Sequence, residues 1–335
     1  MGRIKTPDQA IHGNTIRTRG IVHPGWAGWL LLLFLFCTPG CEGENSPDSL
    51  PANALEKIHS PEPLLRLNDS NLVDAARRCE PESFRLLLEQ TDTKTMNAQV
   101  SGGETALNYA VWFQRTPCVR MLIEAGAHVN TRTDGKETAL HYALHQGDAE
   151  ITSMLLLAGA DFQAVEQDNG YSVLMVAAGL GRIPETRVLV ALGSDQAKRD
   201  YDGRTALMHS IRGRHEKVAE LLINHKSVQV ADVHRETSLY YAIRSRNLSL
   251  VARILEAGAN PNALNEFGET PLMLAASMGS DELVRLLLSF GADESITDAT
   301  NTYSAATIAR ANGFSRIVSL LESPLRRAVL KIFGI

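Results

Sequence analysis

His141 and His145 stand four residues apart in the stretch "TALHYALHQGDAEITSMLLLAGAD", residues 138–161. On a helix that spacing puts two imidazoles on one face, an arrangement able to bind zinc. A zinc site needs further donors, and no carboxylate or Cys is expected to be placed to complete one. His141 belongs to a phrase that recurs, which argues for a local structural bond, so neither a metal nor any other cofactor is expected. The Gly179–Leu180–Gly181 run follows a helical pattern and not a strand, so it does not cradle a dinucleotide. The chain has no Gly-x-Ser-x-Gly elbow, no phosphate-loop Lys-Ser/Thr signature and no His-Glu-x-x-His. No enzymatic activity is expected.

Other side chains suit recognition better than reaction. "IRGR" at 211–214 and "IRSR" at 243–246 lie 32 residues apart. They supply Arg212, Arg214, Arg244 and Arg246, whose forked guanidinium groups fit carboxylate or phosphate. The competing reading is a solvated face balanced by Glu216, Glu220 and Glu236. Trp112 and Phe113 are adjacent bulky apolar residues, with Tyr109, Tyr142 and Tyr241 in related positions. Such aromatics either anchor a partner or fold back onto a neighbouring helix.

These residues are positioned by repetition. A phrase of the type Thr-small-Leu starts at Thr105, Thr138, Ser172, Thr205, Thr237, Thr270 and Ser304, with successive gaps of 33, 34, 33, 32, 33 and 34 residues. A fixed period near that length marks a solenoid of stacked units. Within a unit, Leu140, Ala143 and Leu144 share one helical face, and Thr138 caps the helix start. Pro271 suits a first helical turn. Gly147 turns the chain into a second helix whose inner face is Ile151, Met154, Leu155 and Leu156, and Gly159 ends it. A polar Asp-Gly segment follows, as in "NTRTDGKE", and is expected to project as a hairpin.

"TALHYA" and "TPLMLA" at this period resemble the ankyrin repeat, and the resemblance covers residues 71–322. It implies an all-α ankyrin-repeat solenoid of about eight helix-turn-helix units with connecting β-hairpin loops, over residues 69–323. It also implies protein binding through a concave face lined by the first helices and hairpins. Phasing by the markers puts Trp112, Phe113, His145, Arg212 and Arg244 on that face and stacks Arg212 over Arg244 and Arg214 over Arg246. The expected partner is another protein, engaged through an acidic segment, with the chain acting as a monomer.

Repeats cannot stand alone, so end units need polar outer sides. Arg77, Arg78, Glu80 and Glu82 mark the first unit as a cap, and residues 324–335 read as a capping tail. In the fifth unit Ser210 replaces the usual Ala, Arg214 the turn Gly and Lys226 the terminal Gly. A non-Gly residue in a left-handed turn costs about 1 kcal/mol, so the stack is expected to be weakest there.

The 335 residues are 44% apolar and carry a net charge of −5, which gives no reason to expect nucleic acid. The N-terminus is distinct: Arg3, Lys5, Arg17 and Arg19 precede a short apolar run at 25–37, and small residues follow. That is the pattern of a secretory signal. Cys41 after Gly40 resembles the lipidated cysteine of bacterial lipoproteins. The resemblance implies a signal peptide over 1–40, lipidation at Cys41, a flexible tether over 41–68, and a place on the periplasmic side of the envelope at the outer membrane. Cleavage without lipid and an uncleaved inner-membrane anchor are the alternatives. Cys79 and Cys118 lie in neighbouring units. An oxidising compartment would permit a disulfide between them, but disulfide geometry is demanding, and the expectation is that they stay unpaired.

Overall fold

A computed structural model describes residues 69–322. The signal segment, Cys41, the tether and the C-terminal tail lie outside the described residues. Eight helical pairs follow one another. The first members are α1 (Asp69–Arg78), α4 (Ala106–Trp112), α6 (Ala139–Gln146), α8 (Val173–Gly179), α10 (Ala206–Arg212), α13 (Ser238–Arg244), α15 (Pro271–Ser277) and α17 (Ala305–Ala311). The second members are α2 (Pro81–Glu89), α5 (Thr116–Glu124), α7 (Ala149–Leu157), α9 (Ile183–Ala191), α11 (Glu216–Leu222), α14 (Leu248–Glu256), α16 (Asp281–Ser289) and α18 (Ser315–Leu321). Two short helices, α3 (Thr93–Met96) and α12 (His225–Gln229), lie between pairs. First helices pack on first helices and second on second, in two parallel rows.

All seven marker residues are helix N-caps in extended backbone. Thr105, Ser172, Thr205, Thr270 and Ser304 accept a hydrogen bond from the third helical amide, satisfying a donor that the helix itself leaves open. Pro271 takes the first turn, where no amide is needed. Two residues past six of the seven markers, Leu107, Leu140, Leu174, Leu207, Leu239 and Leu272 are buried and join one continuous core that runs the length of the stack. Ile151 and Leu155 are buried as expected, whereas Met154 and Leu156 are half-buried.

The hairpins are turns without strands. Among the described residues only isolated bridges form, such as Val165 with Ser172. The turns are stitched to one another by single backbone bonds: Gly102 to Asp134, Gly135 to Gln167, Asn169 to Tyr201, Asp202 to Val233, His234 to Glu266 and Phe267 to Ala299. Asn97, Asn130 and Asn262 each accept a bond from the amide of the next unit's His128, Asp161 or Asp293. No unit closes these bonds by itself, which is the physical content of mutual support in a solenoid.

The cysteine expectation is corrected. Cys79 and Cys118 form a disulfide with a Cα–Cα distance of 5.9 Å, joining the first unit to the second. Cys79 occupies the left-handed turn between α1 and α2, at φ 52°. The same slot in later units touches the start of the next second helix: a Cβ on Gly147 would meet the Arg182 guanidinium, and one on Gly279 the Phe314 ring. The stack therefore carries the Cys79 side chain to α5, where Cys118 is buried.

The fifth unit also departs from expectation. Arg214 does take the left-handed turn, at φ 60°, but so do Gln114 and Arg246 in their own units. Lys226 is not left-handed; it lies in α12. The chain turns extended at Ile223, α11 stops after seven residues, and Asn224 caps a new helix. Ser210 is fully buried, and its hydroxyl donates to the Leu207 carbonyl at 2.7 Å.

Candidate protein-binding face

The late residues of the first helices form a row that retains exposure: Trp112, Phe113, His145 and Gln146 are half-buried, and Arg212 and Arg244 exposed. His141 is set apart from this row. It is fully buried, and its Nδ1 accepts from the Thr138 amide at 3.2 Å. Burial pushes its pKa down to about 4. That is the local bond expected of it. Asn108 makes the same bond to Thr105 one unit earlier, at 3.1 Å.

At the aromatic end, Trp112 meets Tyr142 edge-on with ring centroids 5.6 Å apart, and Tyr109 stacks on Phe113 at 6.5 Å. Tyr142 is buried, which corrects its placement among the contact residues. Its slot, one turn before the exposed row, points between units, and Trp112 covers it. Burial raises the Tyr142 hydroxyl well above its ordinary pKa, aided by the Glu137 and Glu104 charges. Tyr241, in the same slot of the sixth unit, is half-buried and donates to Asp232 Oδ2 at 2.6 Å, so its polar end is engaged internally.

Next to this end the structure corrects a second expectation. Carboxylates do reach His145: one donor atom each from Glu137, His145 and Glu166 lies within 4.8 Å of the others. Glu137 closes the hairpin turn before Thr138, its carbonyl accepting from the Thr133 amide. Glu166 holds the base of the next hairpin, where its amide donates to Tyr171. Arg182 fixes the end of α6 by donating to the Leu144 and His145 carbonyls at 3.0 and 2.9 Å. Burial raises the Glu166 carboxyl, but His145, His141 and Asn169 together outweigh it and hold the pKa below the ordinary value. Reading along a single unit missed the carboxylates. Reading one slot across units finds Glu104, Glu137, Glu236 and Glu269, each directly before a marker.

The arginines divide. Arg244 forms a two-pronged pair with Glu236, the competing reading of a face balanced by its own carboxylates. Arg246 donates to the Met278 carbonyl at 3.2 Å. Arg212 and Arg214 are exposed and make no ion pair among the described residues. Arg214 borders a cleft of about 250 Å³ between units five and six, lined also by His215, Glu216 and Asn247. Between the arginines and the aromatics, His209 and Asp200 form a buried pair at 2.8 Å, covered by Tyr171.

Paired helices with capped starts, left-handed turns and stitched hairpins define an ankyrin-repeat stack, and the chain belongs to that family. The model for ankyrin repeats matches residues 72–165, 140–237, 174–265 and 239–325. The crystal structure of the ankyrin repeat domain of Bcl-3 is similar, with a TM-score of 0.59 and 27% identity, covering 67% of this chain and 100% of that one. Among curated proteins, the chain is 32% identical over 137 residues to ankyrin repeat and SAM domain-containing protein 6 of Danio rerio, covering 40% of this chain and 18% of that protein. It is 30% identical over 120 residues to a putative ankyrin repeat-containing protein of Treponema pallidum, covering 35% of this chain and 40% of that protein. The chain thus spans less than half the length of these curated relatives. Ankyrin-repeat domains generally bind other proteins and are generally not catalytic.

Proposed function

We propose that this chain is a non-catalytic scaffold or regulator that grips a partner protein through the concave face. It acts as a monomer, is exported, and is tethered to the periplasmic side of a bacterial envelope by lipid on Cys41. One observation carries the binding reading: half-exposed Trp112 and Phe113 share a row with Arg212, an exposed cation that makes no ion pair among the described residues. An aromatic end and a cationic middle along one row suit an acidic segment with an apolar residue. The Cys79–Cys118 disulfide supports export, since such bonds persist in oxidising compartments.

Cross-linking of the mature protein in its native envelope, followed by mass spectrometry, identifies the partner. Trp112→Ala with Phe113→Ala, and separately Arg212→Glu with Arg214→Glu, are expected to abolish its capture. Unchanged capture in both variants would overturn the groove assignment. Palmitate labelling lost in Cys41→Ala, with repeats open to protease only once the outer membrane is breached, is the result expected of the tether. Repeats that stay shielded until the inner membrane is breached would favour a cytoplasm-facing, membrane-anchored adaptor.

A further inference from the structure

We propose that Glu137, His145 and Glu166 form a binding site for a divalent cation of the zinc class, at the seam between the third and fourth units. The three donor atoms come from two hairpins and the last turn of α6 and converge within 4.8 Å. Zinc bonds imidazole nitrogen and carboxylate oxygen at roughly 2.0–2.2 Å, so tetrahedral donors lie about 3.3–3.5 Å apart. His145 Nε2 and Glu166 Oε1 are 3.8 Å apart, too far for a hydrogen bond and close to the span of two ligands on one ion.

Glu166 shows what is lacking around it. The residue is 5% exposed, and its Oε1, the oxygen facing His145, is buried without a hydrogen-bond partner. A buried carboxylate oxygen with no donor is costly, and a cation relieves that cost. The other oxygen, Oε2, accepts from Asn169 Nδ2 at 2.8 Å, a bond that fixes the carboxylate plane as outer-sphere partners of metal ligands do. The Glu137 charge also acts on the Tyr142 hydroxyl, helping to raise its pKa.

Two arginines in the neighbouring segments have partners among the described residues. Arg132 pairs with Asp161, and Arg182 is held by the carbonyls of α6. One imidazole with two carboxylates favours zinc over calcium or magnesium, which prefer all-oxygen shells of six or more donors. Three protein ligands leave a fourth position for water or for a donor from outside the chain. A bound ion would pin two hairpins to α6 and, through Glu137 and Tyr142, steady the surface beneath Trp112. The site stands independently of any protein partner.

The test is titration of the full chain with Zn²⁺ against a chromophoric chelator, for the wild type, His145→Ala and Glu166→Gln. Wild type is expected to bind one equivalent more tightly than either variant, by at least roughly tenfold, with far-ultraviolet circular dichroism unchanged. Equal binding by all three, or no competition with the chelator, would overturn the proposal and leave His145 and Glu166 as an ion pair. Paramagnetic Co²⁺ added to the wild type gives a readout that needs no variant. Broadening is expected first at the resonances of Glu137, His145 and Glu166, and broadening centred elsewhere refutes the site.

Discussion

Trp112 crosses the Tyr142 ring edge-on at 82°, with its own ring half-exposed and Tyr142 buried beneath it. The pair divides a contact residue from its support. Tyr142→Ala removes the buried member and is expected to cost about 3–5 kcal/mol, seen as a lower urea midpoint. Trp112→Ala leaves Tyr142 partly uncovered and is expected to cost about 1 kcal/mol while abolishing partner capture. Tyr142→Phe keeps the packing and loses only the hydroxyl, so capture should survive it.

The disulfide closes a loop between residues 39 apart. In the chain-entropy account a loop of that length contributes about 4 kcal/mol. Because each unit is coupled chiefly to its neighbours, the loss should be local. Cys118→Ser is expected to speed hydrogen exchange in α1 and α2 strongly and to leave α15 through α18 unchanged.

The buried His141 makes stability depend on pH. Its folded pKa is about 4 against an ordinary 6.5. A histidine depressed in the fold takes up its proton on unfolding, so stability is full above pH 6.5 and falls as pH drops toward 4. The shift corresponds to on the order of 3 kcal/mol. His145, Glu166, Arg132 and Asp161 are the charges around it, the two acidic groups favouring the proton and the two basic ones opposing it. His141→Asn places the Asn108 solution in the third unit, keeps the bond to the cap amide, and should flatten the urea midpoint between pH 7 and pH 4.

Charge reversal should separate the two kinds of arginine. Arg244→Glu sets a carboxylate against Glu236, which is half-buried, and is expected to lower stability by about 1–2 kcal/mol. Arg212→Glu breaks no ion pair among the described residues and should leave the melting temperature within a degree or two while reducing partner capture.

Unit five should still be the weakest, for a different reason from its left-handed Arg214. Helix α11 has seven residues against nine in α7, and the chain leaves helical backbone at Ile223. Amides of α11 are expected to exchange at least roughly tenfold faster than those of α7. Equal protection would show that α12 restores what the break removes.

Much of this was legible along the chain because ankyrin repeats rest on local rules. A Thr or Ser before an apolar stripe caps a helix wherever it falls, so the seven markers located seven first helices. The Leu two positions on is buried in six units because helical spacing and stacking agree. The outward row containing Trp112, His145 and Arg212 followed from the same phase.

Contacts between units followed no such rule. The period says which residues share a slot, not which side chain crosses a seam or how far it reaches. Cys79 finds Cys118 because a left-handed turn aims it at the next second helix. Tyr142 is buried because Trp112, a unit earlier, closes over it. Glu137, His145 and Glu166 meet only because two hairpins converge on the end of α6. The sequence by itself determined the units and their faces through short-range backbone chemistry. The tertiary structure alone decided the pairings, because these depend on side-chain direction across a seam that spacing along the chain does not encode.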